Sequence, residues 1–181
     1  MFDSLLGLVM CLHKVSPVKV AVLKDLGKFT WSEGSEILSR GSEASLPYWL
    51  AKVLSEGGYV DIREPTTTYQ DVAKALVTEK GLKESEFSQL RSRFFVEVRD
   101  LFKSLKKESV SNPDTAITLV KLESNSDDLI QLRLRKLLRL VLLSGDNIDE
   151  YLDKVLPEER VLLTIVHALV NIWRKKVIGS E

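Results

Sequence analysis

Hydrophobic and polar residues alternate along the first third of the chain, and near residue 65 this alternation gives way to a helical period. Val18, Val20 and Val22 are separated by single residues, which is typical of a strand with one buried face. Segments 35–43 and 59–62 predict two further short strands. The first part of the chain is therefore expected to be rich in β-structure.

A short helix is predicted between the last two of these strands. Pro47 suits a first helical turn, where its missing N–H group has no partner to lose. Gly57 and Gly58 predict the turn that ends the helix. Apolar side chains recur at helical spacing and form one face that we expect to close the small sheet: Leu46, Trp49, Leu50, Val53 and Leu54.

A proline followed by three threonines predicts a linker over residues 65–70. Thr68 and Asp71 have the spacing of a capping box, with Asp in place of the usual Glu or Gln. A helix is expected to follow and to end at Gly81, and a longer amphipathic helix is expected over residues 84–107.

The rest of the chain predicts a polar stretch at 106–114 and a short helix at 115–124. Two more helices are predicted, over 127–145 and 157–176, with Asp127 and Asp128 in the first turn of the former. Both are apolar around most of their circumference, which is typical of helices central in a bundle or covered by another chain. A domain of this size has little room to enclose both, so the sequence indicates a constitutive partner.

The predicted fold class is α+β. A small β-rich N-terminal domain at 1–64 and the linker at 65–70 are followed by a mainly α-helical bundle domain at 71–181. The 181 residues include 26 basic and 26 acidic side chains, so the net charge is zero. This balance lacks the positive excess of a dedicated nucleic-acid binder and suits a subunit of an assembly.

Cysteine usage and the N-terminal leader bear on the compartment. Cys11 is the only cysteine, so an internal disulfide and a cysteine-based zinc site are excluded, and we expect a reducing, cytoplasmic setting. The leader is apolar, but Asp3 stands where a signal peptide is positive, so we expect a first strand or helix of the fold. No apolar run reaches the roughly 18 residues of a membrane span.

Residues that could support catalysis are few. The sequence has no phosphate-binding glycine loop. His13 and His167 lie in different modules, and neither has cysteine or acidic neighbours at ligand spacing, so no metal site or cofactor is expected. We interpret His167 as a hydrogen-bonded core residue near Thr164 and Asn171, with a hydrolase centred on His167 as the weakest alternative. The expectation is that the protein is not an enzyme.

Basic residues interrupt the leucine-rich helix at 127–145. Arg135, Lys136 and Arg139 fall within about a third of the helix circumference. Leu132 and Leu143 lie on the same third. The stripe is interpreted as a solvated face, a protein interface or, as an alternative function, the contact surface of a nucleic-acid-binding adaptor. Trp49 and Trp173 could be core or interface anchors. The candidate interface residues are Trp49, Leu46, Arg133, Arg135, Lys136, Leu138, Arg139, Leu142 and Trp173.

The segment GSEASLPYWLAKVLSEGGYVDI, over residues 41–62, resembles the signature of GINS subunits that place the small β-rich domain first. In that branch a glycine turn leads to an acidic residue, then LP, an aromatic pair or Leu–Trp, LA and a strand. The later stretches RSRFFVEVRDLF and LRLRKLLRLVLL are similar to the long helices of the GINS helical domain. The residues at the signature positions are Glu43, Leu46, Pro47, Trp49, Leu50 and Ala51.

The resemblance implies a non-catalytic replication scaffold, of the archaeal two-three type. Such a subunit would assemble with a GINS subunit of the opposite domain order, two copies of each, through its helical domain. The complex would link the MCM helicase and a RecJ/Cdc-type partner at replication forks. The resemblance leaves open whether primase is a further partner and whether DNA is contacted directly.

Overall fold

The computed structural model describes residues 2–32, 34–143 and 148–179, without the side chain of Phe2. The fold is α+β, with strands near the N-terminus and a long helical part after them. The chain divides into two compact units: Gly7–Thr66, and Thr67–Glu181 together with Met1–Leu6. The division falls two residues after the predicted end of the small domain at 64. The grouping of the first residues with the helical unit was not expected.

The leader forms a helix, α1 (Phe2–Val15), and the small unit continues from it. Its elements are β1 (Pro17–Val22), β2 (Gly27–Trp31), β3 (Gly34–Leu38), β4 (Glu43–Pro47), α2 (Tyr48–Glu56) and β5 (Val60–Ile62). β1 is the central strand of an antiparallel sheet of order β4-β1-β5, while β2 and β3 form a separate hairpin. The predicted strands correspond to β1, β3 and β5. β2 and β4 were not predicted.

The register of the three-stranded sheet explains its core. Val18 lies opposite Leu46, and Val22 lies opposite Val60, with all four side chains buried. Period-two alternation in β4 turns Leu46 to the same side as Ala44, away from solvent. The prediction that Leu46 is an interface residue is therefore wrong for this chain, because no part of its side chain reaches the surface.

Helix α2 packs on the small sheet with a different face from the one predicted. Leu50, Ala51 and Leu54 are buried, whereas Trp49 and Val53 are 42% and 61% exposed. The buried strip of α2 is narrow, and the neighbouring strip of the helix lies in solvent. Gly58 follows the helix with φ of +69°, as the glycine pair predicted.

The helical unit begins at Thr67, within the predicted linker, and continues with α3 (Tyr69–Gly81). The capping box is confirmed: Thr68 N–H donates to Asp71 Oδ2 at 2.8 Å, and Asp71 N–H donates to Thr68 Oγ1 at 3.3 Å. The remaining helices are α4 (Phe94–Glu108), α5 (Pro113–Leu143), α6 (Asp149–Leu152) and α7 (Pro157–Ile178).

Two helix predictions in this unit are wrong. Helix α4 starts at Phe94 instead of residue 84, because the preceding segment is held by buried side chains described below. The two helices predicted at 115–124 and 127–145 are one continuous helix of 31 residues, so Asp127 and Asp128 lie in its middle. The predicted end at Gly145 lies outside the described residues. At 1.5 Å per residue, α5 is about 46 Å long.

Helix α5 is shared by two hydrophobic cores, one at each half. Helices α3 and α4 pack against its first half, and the core there contains Val72, Ala75, Leu76, Phe94, Val98, Leu122, Leu129 and Leu156. Helices α6 and α7 pack against its second half, around Leu137, Leu140, Val141, Ile148, Val155 and Leu163. Helices α3 and α4 on one side and α6 and α7 on the other therefore pack against the same helix.

Helices α5 and α7 run in the same direction. Glu159 at the start of α7 contacts Arg133, and Arg174 near its end donates to the carbonyl of Leu142 at 3.5 Å. Helix α6 lies in the return connection between them. Within the described residues, no helix is both long enough and apolar enough to cross a bilayer.

The different burial of two neighbours on α2 can be tested. Leu50→Ala is expected to lower the free energy of unfolding by about 2–5 kcal/mol, because it removes buried methyl groups from the small core. Trp49→Ala should cost much less, since a large part of its side chain is already in water. Urea denaturation of the full chain measures both. An equal or larger loss for Trp49→Ala would contradict the observed packing of α2.

Candidate protein-interaction surface

The predicted basic stripe of α5 is divided between the interior and the surface. Arg133 and Lys136 are buried, whereas Arg135 and Arg139 are exposed. At about 100° per residue, Arg133 and Lys136 lie about 60° apart on one face of α5, whereas Arg135 and Arg139 lie about 40° apart on a different face. Arg133 and Lys136 therefore cannot contact a partner, and their assignment as interface residues is corrected.

Arg133 is enclosed by carboxylates from two other helices. Its Nη1 donates to Glu79 Oε2 of α3 at 2.8 Å. Its Nε and Nη2 donate to the two carboxylate oxygens of Glu159 of α7, at 2.5 and 2.7 Å. The Phe87 ring covers the guanidinium, with 5.1 Å between the ring centroid and Cζ. A bidentate pair of this kind fixes both distance and angle between α5 and α7.

Lys136 completes the cluster from the next turn of α5. Its Nζ donates to Glu79 Oε1 at 2.7 Å and to the backbone carbonyls of Glu79 and Glu86 at 3.0 Å. Two cations thus face two carboxylates, and the cluster of Glu79, Arg133, Lys136 and Glu159 has no net charge. We call these four residues the buried charge cluster.

The buried charge cluster shifts the pKa values of its members. Burial alone would raise the pKa of Glu79, but hydrogen bonds from Lys136 and Ser88 and the charge of Arg133 outweigh it, so this pKa lies below its usual value. For Arg133, burial acts to lower the pKa, and the hydrogen bonds and charge of Glu159 and Glu79 raise it above its usual value. Both groups stay charged at neutral pH.

The same cluster explains why the chain before Phe94 is not helical. Ser88 donates to Glu79 Oε2 through its backbone N–H at 2.9 Å and its Oγ at 2.5 Å. The carbonyls of Ser88 and Glu86 accept from Arg133 and Lys136. These backbone groups bond to side chains from distant helices instead of forming helical i to i−4 bonds.

Sequence reasoning missed Glu79 and Glu159, although one signal for Glu79 was present. Val72, Ala75 and Leu76 form the apolar stripe of α3, and Glu79 continues that stripe at helical spacing. A charged residue in an apolar stripe indicates a buried ion pair, because an isolated buried carboxylate would be strongly disfavoured. No comparable local signal identifies Glu159 as the partner of Arg133.

The exposed part of the stripe is small and partly neutralised. Arg139 forms an ion pair with Glu84, and Arg135 Nε lies 3.4 Å from the carbonyl oxygen of Gln131. Four exposed cations on one helix could contact several phosphates, but only two of the four predicted side chains, Arg135 and Arg139, are exposed. The stripe therefore gives no support to the nucleic-acid-binding alternative.

Apolar residues dominate the exposed surface at the far ends of α5 and α7. Leu142 is 60% exposed and Trp173 is 62% exposed. The contact of Arg174 with the Leu142 carbonyl shows that the two helix ends are adjacent. We call the exposed apolar side chains at these two ends the α5–α7 face. It comprises Leu138, Leu142, Leu169, Ile172, Trp173 and Val177.

The α5–α7 face continues a buried stripe of α7. Leu163 is buried, Val166 and Val170 are half-buried, and Trp173 and Val177 follow at the same spacing of three and four residues. The last two are exposed, and α5 ends at Leu143. Leu138, Leu142 and Trp173, predicted as interface residues, are thus at the surface, as is Trp49 on the small unit.

The polar stripe of α7 has a structural explanation. Asn171 Nδ2 lies 3.1 Å from His167 Nε2, as the sequence predicted for this pair. Thr164 Oγ1 donates to the carbonyl of Arg160 at 2.9 Å, and Arg160 pairs with Asp153 at 3.3 Å. His167 is half-buried and hydrogen-bonded, an arrangement that needs no catalytic role. Over residues 2–32, 34–143 and 148–179, no group of three or more His, Cys, Asp or Glu side chains could hold a metal ion.

Comparison with known proteins does not identify a family. No protein-family model matches the chain, and no curated protein matches its sequence. The case for a function therefore depends on the residues, their geometry and the GINS-like signature.

Removal of Arg133 should destabilise the helical unit strongly. Arg133→Ala leaves buried carboxylates without their main partner and is expected to lower the free energy of unfolding by about 3–5 kcal/mol. Arg135→Ala, on the same helix but exposed, should change it by less than about 0.5 kcal/mol. Urea denaturation followed by circular dichroism gives both values. Similar losses for the two variants would contradict the burial of Arg133.

Stability should depend on pH through Glu79. Its pKa is lowered by folding, so its contribution is present above the ordinary value of 4.5 and is lost as pH falls through the lower folded value. We therefore expect the difference in unfolding free energy between wild type and Glu79→Gln to be large at neutral pH and to shrink below pH 4.5. Urea midpoints across this range measure it, with the exposed Glu84→Gln as control. A difference that stays constant with pH would contradict this role.

Proposed function

We propose that this protein is a non-catalytic subunit of a GINS complex, of the archaeal two-three type, that acts through its surfaces. The observation that supports this most is the α5–α7 face, a set of large apolar side chains exposed at the ends of two long helices. Monomeric proteins seldom leave such residues clustered in water, so a further chain is expected to cover them.

The arrangement of the chain supports the same proposal. A small unit with an antiparallel sheet precedes a helical unit, which is the domain order that the GINS-like signature implies. Within that signature, Leu46, Leu50 and Ala51 are core residues of the small unit. Trp49 lies on its surface, where it is available for contact with a neighbouring protein.

The proposed assembly contains two copies of this chain and two of a GINS subunit with the opposite domain order. The helical units form its centre through the α5–α7 face, and the small units contact neighbours through surfaces such as that of Trp49. The complex joins the MCM helicase to a RecJ/Cdc-type protein at replication forks in the cytoplasm. No step of this role requires a cofactor, a metal ion or a catalytic residue.

The nucleic-acid-binding adaptor is not retained as a second candidate. It depended on four basic residues acting together, and Arg133 and Lys136 are neutralised inside the helical unit. The hydrolase alternative is not retained either, because His167 contacts Asn171 on its own helix, an arrangement that a structural role explains.

Leu142→Asp separates assembly from folding. Because Leu142 is largely exposed, the variant alone should unfold at nearly the same urea concentration as wild type. When co-expressed with a candidate GINS subunit of opposite domain order, wild type should purify as a two-plus-two complex, and Leu142→Asp should lose the partner. The mass of the purified complex, measured by native mass spectrometry, reports the outcome.

Val77→Asp is the matched control, since Val77 is also exposed but lies on α3, outside the α5–α7 face. It should retain the partner. A wild-type chain that remains monomeric in the presence of the partner would contradict the proposed function. Retention of the partner by Leu142→Asp would place the interface elsewhere on the chain.

A further inference from the structure

The two helix segments that carry the α5–α7 face contain charged residues of one sign only. Residues 129–143 and 160–179 contain no Asp or Glu, although the whole chain has equal numbers of acidic and basic residues. Arg133 and Lys136 are neutralised in the buried charge cluster, so they add nothing to the surface. The basic side chains beside the face are Arg135, Arg139, Arg174, Lys175 and Lys176.

Among the residues that the structure describes, one of these surface cations pairs with a carboxylate. Arg139 pairs with Glu84, while Arg174 donates to a backbone carbonyl. Lys175 and Lys176 are exposed in the last turns of α7, within three residues of Trp173. The α5–α7 face is therefore apolar at its centre and positive at its edge.

We infer that the α5–α7 face binds an amphipathic helix whose apolar stripe is flanked by Asp and Glu side chains. This inference rests on the proposed function and specifies the chemistry of the partner surface. Leu138 and Leu142 are four residues apart, and Leu169, Trp173 and Val177 are also spaced by four, so each helix presents a ridge. Such ridges accept the side chains of another helix between them.

A second copy of this chain does not fit the same face. In a two-fold pairing each surface meets itself, so Lys175 and Lys176 of one copy would approach the same basic edge of the other. Like charges brought together at an interface disfavour the pairing, whereas opposite charges select the partner and speed its approach. An acidic edge on a different chain satisfies both the apolar and the charged parts of the face.

The test uses Trp173 as the reporter. Of the three tryptophans, Trp31 and Trp49 are replaced by Phe, so that fluorescence reports Trp173 alone. Two synthetic helical peptides have the same leucine stripe, repeated by heptads. The positions beside the stripe are Glu in one peptide and Lys in the other. Binding is followed by the blue shift of Trp173 emission on titration, with the Lys175→Glu/Lys176→Glu double variant measured in parallel.

The Glu-flanked peptide should bind the parent chain at least about tenfold more tightly than the Lys-flanked peptide. The double variant should reverse this preference, because both charges at the edge change sign. Equal affinity of the two peptides, or no reversal, would overturn the inference. Binding to phosphatidylserine vesicles in preference to the Glu-flanked peptide would also overturn it, as a lipid surface would then be the better ligand.

Self-association provides a further arm. Sedimentation of the parent chain at low salt should show a monomer, because the like charges of two identical faces repel each other there, and a stable dimer at low salt would overturn the inference. The outcome is separate from that of the proposed function. If the Glu-flanked peptide binds and no GINS subunit co-purifies, the proposed function fails and the charge inference stands. If a GINS subunit co-purifies and the Glu-flanked peptide does not bind, the charge inference fails and the proposed function stands.

Discussion

The bidentate pair between Arg133 and Glu159 is the interaction on which the helical unit depends. It joins α5 to α7 at 2.5 and 2.7 Å, and the remaining nitrogen of Arg133 joins both to Glu79 of α3. The apolar cores on either side of this point specify the position of one helix along another less sharply, because apolar burial is non-directional. A buried ion pair does not tolerate sliding, since displacement by one turn would leave charges without partners. The register of three helices is therefore set by charge, and their cohesion by apolar burial.

Burial of charge is unfavourable in itself, and the structure shows how the penalty is offset. Each carboxylate of the buried charge cluster accepts from more than one donor, and Lys136 uses two backbone carbonyls in addition to Glu79. Glu159 also accepts from the backbone N–H of Leu156, so it caps the start of α7 while it holds Arg133. The segment around Ser88 closes over the cluster and gives up helical structure to do so. The buried charge cluster therefore connects the late start of α4 to the position of α7, although the starts of these two helices are more than sixty residues apart in the chain.

Local patterns in the sequence were sufficient where neighbouring residues decide the structure. Alternation identified β1, the Thr68–Asp71 spacing identified the start of α3, and Gly58 ended α2. Local patterns were insufficient where distant residues decide the structure. The stretch before Phe94 has good helical periodicity, yet its backbone bonds to Glu79, Arg133 and Lys136. Leu46 and Trp49 lie three residues apart and were given one face, but Leu46 belongs to a strand and Trp49 to the helix after it. For the basic residues of α5, helical geometry gave their spacing, but only tertiary packing shows which side faces the core.

The partition of charge between interior and surface bears on how the protein avoids wrong partners. A zero net charge gives a chain little general repulsion from its own copies, and an exposed apolar face makes association favourable. Here the cations are not spread evenly: Arg133 and Lys136 are neutralised in the interior, and the other charged residues of segments 129–143 and 160–179 are all positive. The apolar part of the face cannot distinguish one hydrophobic surface from another, because burial of apolar area is non-directional. The positive edge can, since it repels an identical face and attracts an acidic one. Affinity and selectivity at this surface would thus come from different residues. The leucines and Trp173 would supply affinity, and Lys175 and Lys176 would supply selectivity.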